Sequence, residues 1–315
     1  ITLNTELLDA NGNLTDGTHD TWTPIGGNSS ANCYKGTFDG DGYTISGLYC
    51  DVSNKSYVGL FACVGAGGTV KNVNIADSYV SGGEKIGLLC GANGGTSYNG
   101  GTIVNCTVSG TVKGRYYIGG VCGRNILGTV RNCTSNAAVT GTGTVSRIGG
   151  ICGENQGGTV TGCTNTGTVS GNQVVGGICG YNYPKSDTKA QIISCTNAGT
   201  VMGTSDSVGG VCGMNSGGTV TECTNNGAVS GGSYVGGICG KNSNTYNSNS
   251  VLYSAEISSC KNTGNVKGEG DNTGGICGYN HISSVPGCRN TGNVKGKGDN
   301  TGGICGYNLN GSVQG

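Results

Sequence analysis

Cysteine is the residue of this 315-residue chain best equipped for chemistry: there are 18, and their spacing is regular. One set closes the string Gly-Gly-Ile/Val-Cys-Gly, at Cys122, Cys152, Cys179, Cys212, Cys239, Cys277 and Cys305. Degenerate earlier copies are GLFAC, ending at Cys63, and GLLCG, with Cys90. A second set follows each of these anchors inside G-T-V-T-x-C-T-N-T-G-T-V-S-G, at Cys106, Cys133, Cys163, Cys195, Cys223, Cys260 and Cys288. Thiols can ligate a soft metal or bridge to one another. Ligation needs clustering such as C-x-x-C, which is absent, and His19 and His281 are isolated, so no metal site is predicted. For bridging, seven units hold both cysteines: Cys90/Cys106, Cys122/Cys133, Cys152/Cys163, Cys179/Cys195, Cys212/Cys223, Cys239/Cys260 and Cys277/Cys288. A disulfide within each unit would clamp the base of the loop between them, where most of the length variation falls. The competing reading is two ladders of free thiols acting as small apolar residues. Strict pairing is opposed by Cys63, whose partner position holds Val73, and by Cys305, which has no partner.

Other chemically able residues are few. Asp39 and Asp41 in T-F-D-G-D-G-Y suggest calcium, but D-G-D-G without a further acidic partner reads as a turn. Gly65-Ala-Gly67-Gly68 lacks the Lys-Ser/Thr and helix of a phosphate loop. Acids recur at no position of the repeat, and H-E-x-x-H is missing, so no catalytic residue is predicted and no cofactor is expected. Three longer corners, 94–101, 183–191 and 243–256, carry Tyr98, Tyr183, Tyr246 and Tyr253. Exposed aromatics on loops of a rigid scaffold are candidate ligand contacts. The alternative is that each ring folds back on the wall.

What positions these residues is a repeat whose shortest unit is 27 residues, from Cys152 to Cys179. Each unit holds three segments rich in β-branched residues, VGGICG, GTVTGC and GTVSG, separated by Gly, Asn and Ser. Such residues suit a pleated, half-buried surface. Three strands of about five residues plus three turns account for the unit, which is then one three-sided coil. Stacking at about 4.8 Å per coil makes a parallel β-helix of about nine coils, roughly 40 Å long. Propeller blades need about 40 residues, and the leucine-rich frame is missing. A single coil cannot bury its own apolar residues, so stability is expected to be a sum over neighbouring interfaces.

Two polar columns support the register. Asn93, Asn125, Asn155, Asn182, Asn215, Asn242, Asn280 and Asn308 follow the anchors at a fixed offset, and Asn165, Asn197, Asn225, Asn262 and Asn290 follow the second cysteines. Stacked amides form ladders. The glycine pairs are expected at tight corners with positive φ.

Gly is 67 residues, charged residues are only 11%, and 17 Lys and Arg balance 17 Asp and Glu. That scattering gives no basic patch for nucleic acid. No apolar run approaches the ~18 residues of a membrane span. The cysteine content favours an oxidising, extracellular setting. Residues 1–50, with the only Trp, are expected to cap the first coil's open edge and lead into it. Residues 51–315 are expected to be repeats that continue beyond Gly315 or stack end to end with a second copy.

W-T-P-I-G-G (22–27), G-T-F-D-G-D-G-Y-T-I-S-G-L (36–48) and the repeated V-G-G-I-C-G-x-N…G-T-V-x-x-C-T-N-T-G-x-V-S-G resemble the GLUG-repeat proteins of bacterial surfaces. The resemblance implies an adhesin-like surface protein, or the non-catalytic region of an IgA-peptidase-like protein, and it departs by placing Cys where the family has Val, Leu or Ser. The expectation is a non-enzymatic structural or adhesive module at the cell surface, with a host-cell, glycan or matrix ligand. Two alternatives stand beside it. One is a carbohydrate-binding or carbohydrate-active β-helix. The other is an ice-binding solenoid, suggested by the column Thr107, Thr134, Thr164, Thr196 and Thr224.

Overall fold

The computed structural model describes residues 1–95, 98–246 and 250–314. Every regular element in them is a strand, and the repeats wind into a parallel β-solenoid. The coil starting at Cys152 shows the plan. Cys152–Gln156 lies on a nine-stranded sheet, here called the anchor sheet. Thr159–Thr161 lies on a ten-stranded second sheet. The third side is divided among Thr164–Asn165, Val169–Gly171 and Val175–Gly176. The expected VGGICG strand is therefore interrupted: Val175–Gly176 ends the third side, and the chain turns before Cys179 opens the anchor sheet.

Inward side chains form vertical files because like residues occupy like offsets. Cys90, Cys122, Cys152, Cys179, Cys212, Cys239, Cys277 and Cys305 are direct partners on successive coils. Val70, Ile103, Val130, Val160, Ile192, Val220 and Ile257 make another file on the second sheet. All seven of these are 0% exposed. Apolar burial of this kind returns about 1.5–3 kcal/mol per side chain, but only once the coils are stacked.

One anchor is corrected. Phe61, not Cys63, pairs with Cys90, while Cys63 pairs with Ala92. The first winding is two residues out of step with the GLFAC reading because its larger Phe61 fills the anchor position and packs against Tyr34 and Phe38 of the N-terminal segment. That segment winds over the rod's end through Thr2–Ser46, Ile25–Phe61 and Tyr34–Val64 bridges, and Trp22 donates its indole N–H to the Leu60 carbonyl at 3.1 Å. Its later part already lies in the sheets, as Thr37–Asp39 and Thr44–Ser46.

The glycine pairs are of two kinds. Where a pair follows the anchor, as at Gly67-Gly68, Gly94-Gly95, Gly157-Gly158 and Gly217-Gly218, its first glycine takes the expected positive φ. Left-handed backbone also falls immediately before the second cysteines, at Asn105, Asn132, Gly162, Ser194, Glu222, Ser259 and Gly287, and five residues before several anchors, as at Val174, Tyr234 and Asn272. The pairs that precede the anchors are set instead by close approach. A Cβ on Gly149 would lie 2.1 Å from the Cys152 carbonyl oxygen, and one on Gly150 2.2 Å from the Gly177 oxygen and 2.3 Å from the Asn165 amide carbon. The second glycine thus makes room for the neighbouring amide column.

Both amide columns are continuous. In the first, each Asn Nδ2 donates to the Oδ1 of the next coil at 2.7–2.9 Å, from Asn93 through to Asn308. The second runs at 2.8 Å from Asn165 to Asn290. Most inner amides also donate to a carbonyl of their own coil, as Asn155 does to Gly158 at 2.9 Å, while Asn242 reaches the Ser284 carbonyl of the next coil at 3.4 Å. Buried polar atoms are tolerated here because nearly all of them have partners.

The seven proposed within-coil disulfides are not formed. Cys90, Cys106, Cys122, Cys133, Cys152, Cys163, Cys179, Cys195, Cys212, Cys223, Cys239, Cys260, Cys277 and Cys288 are all thiols. The two cysteines of a coil open different sides of it, whereas the like cysteine of the next coil is directly stacked. The Cys133 amide donates to Cys163 Sγ at 3.4 Å, and Cys163 to Cys195 Sγ likewise. Each second-file thiol donates to a carbonyl two residues back, Cys195 to Ile193 at 3.3 Å. Among the described residues the one disulfide joins Cys33 to Cys63, giving Cys63 a partner outside the repeat.

Candidate functional site

The outward side of the anchor sheet carries a dense cluster of cations and rings. Three offsets generate it. Two residues after the anchor stand Arg124, Glu154 and Tyr181, register partners on successive coils. Gln156 and Tyr183 pair four residues after it, and Tyr117 and Arg147 pair five residues before it. Stacking puts unlike outward residues within reach.

Glu154 is the hub. It is wholly buried and takes Arg124 Nε at 2.5 Å on one oxygen and the Arg147 guanidinium on the other. Tyr183 donates its hydroxyl to the first oxygen at 3.1 Å, and Arg124 reaches on to Gln156 Oε1 at 3.0 Å. A buried carboxylate with two guanidinium partners and a phenol is well satisfied, and removing it would strand charge. Around it, Arg147 lies 4.5 Å from the Tyr181 ring and 5.4 Å from Tyr117, while Arg124 is 5.3 Å from Tyr117. Lys85 sits over Tyr57 at 4.6 Å. Burial, with the Arg124 charge nearby, pushes the Lys185 ammonium below its ordinary value. Lys85, Arg124, Arg147 and Lys185 stand here against Glu84, Glu154 and Asp187, an excess of one positive charge. A second group follows down the same sheet: Tyr279 stacks on Tyr307 at 5.6 Å, meets Tyr234 edge-on and lies 5.6 Å from the Lys241 ammonium.

Of the four tyrosines expected as contacts, Tyr183 belongs to this cluster and stacks on Tyr181 at 4.5 Å. Tyr246 projects, 67% exposed. Tyr98 and Tyr253 fold back instead. Tyr98 donates to the Asn28 carbonyl at 3.1 Å and lies over the Cys33–Cys63 bond. Tyr253 is buried and donates to the Ser186 carbonyl at 2.9 Å. The physical reason is that the long loops lean on one another: Lys185 reaches the Gly95 carbonyl at 3.3 Å, and Lys189 reaches Ser254 at 3.1 Å. Part of the last loop, 247–249, and Thr96 and Ser97 lie outside the described residues.

Asp39 is engaged by the Lys71 ammonium at 2.9 Å and by the Asn72 amide, and these hydrogen bonds, Lys71 foremost, lower its carboxyl to about 2. The Thr107–Thr224 file is in register, but Lys261 and Arg289 continue it. Tyr117, Arg124, Arg147, Glu154 and Tyr181 were missed from the sequence. Writing the repeats in register at the −5 and +2 offsets would have collected them.

Residues 114–140 and 144–170 each match the GLUG motif. A stretch of 107 residues, 34% of the chain, is 37% identical to halomucin of Haloquadratum walsbyi, but covers 1% of that protein. An 87-residue stretch, 28% of the chain, is 37% identical to a protein of Evansella cellulosilytica designated a Gly-rich membrane protein, covering 10% of it. The chain thus corresponds to a small part of the length of these relatives. The crystal structure of a Bacteroides ovatus chain designated an immunoglobulin A1 protease superposes with a TM-score of 0.51 at 22% identity, over 78% of this chain and 64% of that one. At that identity the likeness concerns the fold. With both the stacked register and two matched coils in hand, the chain is a parallel β-solenoid carrying GLUG repeats.

Proposed function

We propose that this chain is a non-enzymatic, extracellular surface module, a rigid rod that holds its outward side chains in fixed array to contact a ligand. The single observation that carries this reading is the Arg124–Glu154–Arg147 cluster with its tyrosines, built on strands rather than on loops. Interior chemistry is spent on stacking: thiols pack, amides bond to amides, and aliphatic residues fill the files. The anchor-sheet face combines flat rings with excess positive charge. Rings stack on the apolar faces of sugars, and guanidinium groups take carboxylates or sulfates in paired hydrogen bonds. The ligand class that fits both is an acidic glycan, which agrees with an adhesive role at a cell surface. Relatives named as a halomucin and as a membrane protein support the surface setting.

The test is an array of neutral, uronate-bearing, sialylated and sulfated glycans probed with the full chain and with the Tyr181→Ala variant. Binding is expected on acidic glycans, weakening as salt rises and at least tenfold weaker in the variant. Equal binding by both proteins, or binding to none of the array, would remove this reading and leave a spacer.

A further inference from the structure

Cys33 and Cys63 are separated by 30 residues, one winding of the rod, and their Cα atoms lie 4.9 Å apart. Their neighbours Tyr34 and Val64 form a parallel bridge, so the bond runs along the rod axis, from one winding to the next. Both cysteine files repeat that relation. Anchor cysteines are direct register partners, and adjacent parallel strands lie about 4.7–4.9 Å apart. That spacing falls inside the roughly 4.4–6.8 Å Cα range of disulfides. In the second file the sulfurs of Cys163, Cys195, Cys223, Cys260 and Cys288 already lie 3.4 Å from the backbone nitrogen of the preceding cysteine.

We propose that the two files are sites of lengthwise disulfide formation, joining like cysteines of successive coils, such as Cys106 to Cys133 and Cys152 to Cys179. The thiols described above are the reduced form. The oxidant is an external disulfide, a small molecule or an oxidoreductase. A file thiolate attacks it to give a mixed disulfide and releases one reduced thiol. The neighbouring thiolate then displaces the second, so the chain gains one S–S bond and loses two protons and two electrons, and the acceptor leaves as two thiols. Every file cysteine except Cys305 is buried in the closed rod, out of reach of an external disulfide. Exchange therefore belongs to coil-by-coil closure, before each file is sealed. Eight anchors can pair completely, whereas the seven cysteines from Cys106 to Cys288 must leave one thiol over.

The experiment refolds the reduced, unfolded full chain in a reduced/oxidised glutathione buffer, blocks remaining thiols in denaturant, and maps unreduced peptides by mass spectrometry. Expected are crosslinked peptides joining successive coils within one file, each two hydrogens lighter per bond. A Cys133→Ser variant supplies the sharper readout. Cys106 then has Val73 on one side and Ser on the other, so it is expected to be fully blocked as a thiol while Cys163 still pairs with Cys195. Complete blocking of every file cysteine in the parent protein would overturn the proposal. So would crosslinks within a coil, such as Cys122 to Cys133. If the variant does not fold, the parent map decides alone.

Discussion

The amide column is the most direct place to test whether register holds this rod together, and Asn182 stands at its middle. Its Oδ1 accepts from Asn155 at 2.8 Å, and its Nδ2 donates to Asn215 Oδ1 at 2.8 Å and to the Ala190 carbonyl at 3.3 Å. Replacing it by Ala leaves Asn155 with its Gly158 bond, so that side loses little. Asn215 Oδ1 loses its ladder donor in a site with 0% exposure. An unsatisfied buried acceptor costs about 1–3 kcal/mol, and each lost hydrogen bond about 0.5–1.5 kcal/mol. The sum for Asn182→Ala is about 2–4 kcal/mol. Asn308 makes the same upward contact, accepting from Asn280 at 2.7 Å, but it is exposed, and water replaces the lost partner. Asn308→Ala should cost under about 1 kcal/mol on the same scale. Urea unfolding of both variants, with amide exchange to locate the opened coils, measures the difference. Equal costs at the two positions, or less than about 1 kcal/mol at Asn182, would refute the claim that buried amide pairing maintains the stack.

Two further outcomes follow from backbone geometry. Val174 holds φ 54°, where Asn272 and Asn300 occupy the matching corner of later coils. A β-branched residue is strained there, so Val174→Asn should raise stability by about 1 kcal/mol in denaturant unfolding. Gly150→Ala should lower it by about 1–3 kcal/mol or more, since its methyl meets backbone oxygen and the Asn165 amide and a packed interior does not yield cheaply.

The period, the thiol and amide files and the parallel winding were legible because identical residues recur at identical offsets, and only stacking gives that recurrence a purpose. Where the repeat weakens, legibility fails. Phe61 stands at the first anchor where later coils have Cys, and the GLFAC string puts its cysteine, Cys63, two residues on. Cys33 lies in the non-repeating segment and gave no sign of its partner. The within-coil bridges fail because neighbours in sequence are not neighbours in space here: in a solenoid the nearest like residue is one winding away. The outward cluster around Glu154 repeats no residue type at any one offset. Its members differ from coil to coil, and only their offsets from the anchor are constant.

The loops leave a last consequence. Corners after Cys90, Cys179 and Cys239 are long, and none of these coils adjoins another. The short turn at Gly217 is covered by Thr245 and Tyr253 of the next coil, and the turn at Gly157 by Lys185 of the next coil. Plain windings are thus shingled by their neighbours' overhangs. A segment grafted onto the corner at Gly217 would have to displace the roof already over it, whereas lengthening at 243–256 only extends an eave. Room for new insertions along this edge is rationed by the winding next door rather than by the host winding itself.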